Sequence, residues 1–157
     1  MTSKQNTKPI AHVRFDENDQ PIEHWLEDHL RKVAKLSAKH ASVFGNEDWA
    51  EIAGRWHDLG KYSLDFQEYI RDQSGYEREN AHVERPNMKG RVNHSSAGAL
   101  YAFLQFKEKF NDDVFARIIA YSIAGHHAGL ADWPSESGQS SLQHRMQDKN
   151  LLADALN

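Results

Sequence analysis

Between Trp25 and Leu36 the apolar residues Trp25, Leu26, Leu30, Val33 and Leu36 recur at steps of one, three and four, and His29 falls in the same row. That spacing draws one stripe along a helix and excludes a half-buried strand, whose apolar residues alternate. The helix is expected to start near Pro21, a favoured first-turn residue, and to run to about Phe44, where Gly45 and Asn46 stop it. A histidine on a buried stripe needs a polar partner or a ligand, so this first helix already asks a chemical question.

The same period recurs downstream. A second helix is expected from Glu47 or Asp48, with Trp49, Ile52, Ala53 and Trp56 inward, ending near Gly60. LDFQEYI gives a third, with Phe66, Tyr69 and Ile70 on one side. Asn93 reads as the cap of a helix through SSAGALYAFLQFKEKF. Asp112 or Asp113 opens VFARIIAYSIAG, with Phe115, Ile118, Ile119, Ser122 and Ile123 buried. Leu142, Met146, Leu151, Leu152 and Leu156 mark a terminal helix over 139–157. Residues 1–8 form a polar tail, Ala11, Val13 and Phe15 alternate as a short extended segment, and 71–93 form a long loop. With no convincing strand pair, the fold class is all-α, a single domain over 1–157.

Composition narrows the chemistry. The 157 residues include ten histidines and no cysteine, so disulfides, thiolate metal sites and cysteine nucleophiles are excluded. Any metal must be held by His, Asp or Glu. The net charge is −4, so bulk charge does not attract nucleic acid. In the 71–93 loop Arg71, Arg78, Arg85, Lys89 and Arg91 are interleaved with Asp72, Glu77, Glu79 and Glu84, which makes no basic patch. Tyr76 and Trp133 are candidates for stacking on bases, whereas Trp25, Trp49 and Trp56 are assigned to packing. No apolar run approaches a membrane span, and MTSKQNTK is no signal peptide, so a soluble cytoplasmic protein is expected.

Five histidines and one aspartate occupy helix positions that converge on the bundle interior. His29 projects from the apolar face of its helix. His57 and Asp58 end a strongly apolar helix in HDLGK, where buried charge must be paired or bound to metal. His94 starts a helix beside the small residues SSAGA. His126 is in phase with Phe115, Ile119 and Ser122 and should face inward, with His127 beside it between Gly125 and Gly129. Each histidine alone is readily a satisfied core or surface residue; five together point to a shared ligand, because neutral imidazoles bind transition metals well. His24, His40, His82 and His144 read as surface or loop residues. His12 stays open, since an extended N-terminal segment could lie across a site.

This succession of His29, His57–Asp58, His94–Ser95 and His126–His127 resembles the HD metallohydrolases. EHWLEDHLRKVAKLSAKHASVFG, HDLGKYSLDFQEYI and AGHHAGLADWP are most similar to the HD nuclease domain of the CRISPR-associated nuclease–helicase of type I CRISPR systems. The resemblance covers about residues 10–135 and implies an HD-domain helical bundle. It implies one or two divalent transition-metal ions (iron, manganese, nickel, cobalt or zinc): one on His29, His57 and Asp58, the other on Asp58, His94, His126 and His127. Asp58 and Lys61 would be catalytic, Asp58 as the bridging ligand and Lys61 as the cation that neutralises charge on a phosphate. The implied reaction is hydrolysis of single-stranded DNA in antiviral CRISPR interference. The implied partners are a helicase domain or subunit and the RNA-guided surveillance complex, with no membrane.

One departure bears on the first ion. The family closes that site with an aspartate far downstream of the double histidine, and this chain offers only Asp132, Asp148 and Asp154 there. The expectation is therefore a bundle lacking its C-terminal part, with a weak first site. Two other readings follow: an HD-type nucleotide phosphohydrolase, and a truncated metal-binding domain without turnover. The cyclic-dinucleotide branch fits less well, because HHAGLADWP replaces its GYP-containing stretch.

Overall fold

The computed structural model describes residues 8–71, 94–111, 113–127, 129–133, 141–148 and 150–156. Two strands, β1 (Ile10–Phe15) and β2 (Pro21–Trp25), precede the helices α1 (Leu26–Ala41), α2 (Glu47–Trp56), α3 (Leu64–Arg71), α4 (His94–Phe110), α5 (Asp113–Ala124), α6 (Leu142–Arg145) and α7 (Asn150–Leu156). Short 3-10 turns span Ser42–Phe44 and Leu59–Tyr62. The fold is all-α apart from the hairpin.

The hairpin corrects the expectation of no strand pair, and Pro21 begins β2 rather than a helix. Asp16 Oδ1 accepts the backbone N–H of Asn18 and of Gln20, each at 2.8 Å, and Asp19 takes φ 60. This side-chain-closed turn brings β2 back antiparallel to β1, with His12 opposite His24. β2 is mostly exposed, so its pairing leaves no apolar alternation to read. Trp25 is accordingly a strand residue and 38% exposed, not a packing residue of α1.

α1 buries Leu26, Leu30, Ala34 and Ala41, while Leu36 faces out. It gives way at Ser42 to the 3-10 turn, which ends on Gly45 at φ 71, a left-handed position that suits glycine. α2 packs on α1, and a Cβ on Gly54 would stand 2.8 Å from Ala34 Cα. α2 ends at Trp56, short of the expected Gly60.

The largest core lies between α4 and α5. Ala99, Ala102 and Phe106 meet Ala116, Ile119, Ala120, Ile123 and Ala124, with Trp49 and Trp56 against them. The small residues let the helices approach closely, and that choice rotates α5 from its expected phase. Ile119 and Ile123 are buried as expected, but Phe115, Ile118 and Ser122 face out. Trp133 packs with Phe103 and Tyr121 rather than standing free.

The terminal stretch is two helices, not one. Leu142 and Met146 join the main core, then Asp148 Oδ1 accepts Asn150 N–H at 3.0 Å where α7 begins. α7 lies against the 59–62 turn and α4. Arg71 belongs to α3, and the rest of the expected 71–93 loop, with Tyr76, His82 and the Asn93 cap, lies outside the described residues, as do residues 1–7 of the tail. No helix among the described residues is long and apolar enough to cross a membrane.

Candidate metal centre

The end of α2 builds the centre of the site. His57 still holds helical dihedrals, and Asp58 leaves them at φ −113, ψ 23. The Asp58 side chain makes no capping bond to the backbone, so its carboxylate is available to the interior. The 3-10 turn that follows presses against α4: a Cβ on Gly60 would stand 2.3 Å from the His94 carbonyl oxygen. Glycine here serves close approach, and it sets His94 beside Asp58.

Four imidazoles from four places surround this carboxylate. On one side His57 Nε2 is 3.1 Å and His29 Nε2 3.2 Å from Asp58 Oδ2. On the other, His126 Nε2 is 3.3 Å and His94 Nε2 3.6 Å from Oδ1. His127 Nε2 lies 2.8 Å from His94 Nε2. The turn after α5 that carries the double histidine is closed by Gly129 at φ 77, whose N–H donates to Gly125 O. The five histidines singled out as ligands therefore lie on the two sides of Asp58.

Lys61 is buried, with its ammonium 3.0 Å from Asp58 Oδ2 and donating to the Ala11 carbonyl at 3.2 Å. Burial alone would raise the Asp58 pKa. Where His126, His29 and His57 carry a proton on Nε2, their hydrogen bonds, with the Lys61 charge, outweigh burial and hold the carboxyl well below the usual carboxylate range.

The tautomers show what the cluster lacks. His57 Nδ1 donates to Gly54 O at 2.7 Å, and His126 Nδ1 donates to Ile123 O at 2.6 Å. In a neutral imidazole the lone pair then sits on Nε2, the atom facing Asp58. Lone pairs thus face carboxylate oxygens at 3.1 and 3.3 Å. His29 Nε2 and His57 Nε2 also face each other at 3.1 Å. Protonating every imidazole would only exchange this for crowded positive charge. Asp58 Oδ1 is meanwhile buried without a hydrogen-bond partner. Cations between these atoms satisfy all of them at once, and a backbone carbonyl on the remote ring nitrogen is the usual support of a ligating histidine. The residues present fit divalent ions.

Among the described residues two groups have ligand atoms within 4.8 Å of one another: Asp58, His94, His126 and His127, and His12, His29 and Asp58. The second brings in His12. Its ring is 4.7 Å from that of His29, edge to face. Burial first, then the charges of Lys61 and His29, push its pKa down to about 4 against the pull of Asp58, so it is neutral at pH 7. Two further residues escaped sequence reasoning. Buried Gln67 accepts from Ile10 N–H at 2.8 Å and donates to Ile10 O and Lys61 O, fastening β1 to the site. Arg145 donates to Ser96 Oγ and Ser95 Oγ beside His94. Neither has a local motif that could have revealed it. Asp132, Asp148 and Asp154 are exposed and join neither group, while His24, His40 and His144 are exposed as expected.

No curated protein matches the chain. The sequence model of the family described as "Cas3, HD domain" matches residues 19–156, which takes in every helix and all of these ligand candidates except His12. A helical fold with the His29, His57–Asp58, His94 and His126–His127 cluster at its centre, under a match of that extent, places the chain in the Cas3 HD-domain family.

Proposed function

We propose that this chain is a single metal-dependent nuclease domain that hydrolyses phosphodiester bonds of single-stranded DNA in CRISPR interference. It would work in the cytoplasm with a helicase domain or subunit and the RNA-guided surveillance complex. The observation that carries the reading is the buried Asp58 carboxylate, one oxygen unpartnered, enclosed by imidazoles from α1, α2, α4 and the turn after α5. Family membership supports it.

In this reading His29, His57 and Asp58 would hold one ion, and Asp58, His94, His126 and His127 the other. Divalent ions of the iron, manganese, nickel, cobalt or zinc type, when bound by these residues, would supply a water of lowered pKa and stabilise the oxygens of a displacement. The chain's own part is positional. Gly54 O and Ile123 O fix the tautomers and planes of His57 and His126. Asp58 is the group common to both halves. Lys61 lends a fixed positive charge, which offsets Asp58 and favours a phosphate bound over the site.

Incubation of the protein with Mn2+ and either single-stranded DNA or nucleotides tests this. Cleavage of the DNA is expected, and it should disappear with a chelator. Release of phosphate from nucleotides, with the DNA left intact, would replace the nuclease by an HD-type nucleotide phosphohydrolase.

A further inference from the structure

The hairpin carries a residue with no role in the ligand set so far. β1 is pinned to the segment that presents Asp58 by two independent polar clamps. Lys61 Nζ donates to Ala11 O, and Gln67 binds both backbone groups of Ile10 while also donating to Lys61 O. His12 follows Ile10 and Ala11 directly, so the height of its ring over the site is set by the 58–62 turn itself. Ile10 and Ala11, almost wholly buried, add apolar anchoring on two separate clusters. The strand pairing is irregular between Ile10 and His12. Such an irregularity is a common device for re-aiming a side chain.

The outcome is a ligand-competent nitrogen of His12 within 4.8 Å of those of His29 and Asp58. His57 Nε2 lies 3.1 Å from both His29 Nε2 and Asp58 Oδ2. His57 stands outside the His12 group, so an ion with bonds of about 2.0–2.2 Å would have to draw the His12 and His57 nitrogens together. We propose that His12 is a direct ligand of the ion held by His29, His57 and Asp58, so that the N-terminal hairpin completes the metal centre. Three imidazoles and one carboxylate suit a borderline divalent transition ion rather than magnesium. The inference rests on the two-ion reading above and adds a ligand to it.

Calorimetric titration of the whole protein with Mn2+ and with Co2+ tests it, using wild type and His12→Ala. Wild type is expected to bind two ions. His12→Ala should weaken one of the two by more than about 100-fold, beyond the roughly 10–100-fold that losing an outer partner costs. The other ion, on the His94 side, should keep its affinity. A smaller loss, or an equal loss at both ions, overturns His12 as a ligand while leaving the two-ion reading standing. Failure of wild type to bind any ion overturns both. Should His12→Ala not fold, the ring nitrogens of the wild-type histidines are followed by NMR during Zn2+ addition. Those of His12 should move with those of His29 and His57; unmoved His12 resonances contradict the proposal.

Discussion

A carboxylate that is 2% exposed stays ionised only with positive partners close by, and Asp58 has one permanent cation and several conditional ones. Lys61 is the permanent one, itself 3% exposed and 3.0 Å away. Its removal leaves buried negative charge, which costs about 3–5 kcal/mol when a buried pair loses one member. Lys61→Met is therefore expected to lower the stability of the metal-free protein by about that much. Bound Mn2+ should recover most of the loss, since the ions supply the missing charge to Asp58. Urea denaturation with and without Mn2+ measures both, and an equal penalty in the two conditions would show that Lys61 does not act through the carboxylate. The family resemblance implied Lys61 as a cation for phosphate. Its place in the interior shows a further duty, which depends on the fold of the 59–62 turn and is invisible in HDLGK.

At the level of elements, the site is an intersection of ends: the end of α2, the start of α4 and the end of α5, with the side of α1 and the strand β1 closing it. The contact that fixes α4 is Gly60 against the His94 backbone. Gly60→Ala places a methyl into that contact, and overpacking of this kind costs about 1–3 kcal/mol. The expected result is a protein destabilised to that extent, in which the ion on the His94 side binds more weakly while the His29 side is less affected. Thermal unfolding and Mn2+ titration read the two effects, and unchanged behaviour in both would deny the close approach its role. Most helices were legible because their apolar spacing is long and regular, as in 26–41 and 47–56. The phase of α5 was not, because Ala116, Ala120 and Ala124 win the interior over Phe115 and Ile118 through close packing with α4, which no single-helix pattern encodes. β2 escaped notice because its pairing is made by backbone groups and its side chains are mostly exposed.

Across the whole molecule, the ligand candidates span His12 to His127 and meet around one carboxylate, in a chain of net charge −4. Such a molecule presents little bulk attraction to a polyanion, so in the proposed function the ions would be the principal means of meeting a phosphate. Of the five histidines expected on helices, only His29 and His94 lie in one, where the helix fixes side-chain direction; His57 and His126–His127 stand just past the ends of α2 and α5. His126 reached the site even though its phase partners Phe115 and Ser122 did not, because the turn at 125–127 re-aims it after α5 has ended. His12 could not be assigned, since its position depends on Gln67, 57 residues from the Ile10 it clamps. In the proposed function Asp58 joins the two halves of one metal centre. Counting the ions bound per chain by native mass spectrometry, for wild type and Asp58→Ala under the same Mn2+ concentration, tests that claim most directly. Two ions are expected on the wild type and neither retained tightly in the variant, whereas two ions still bound to a folded Asp58→Ala protein would show that Asp58 does not join the two halves.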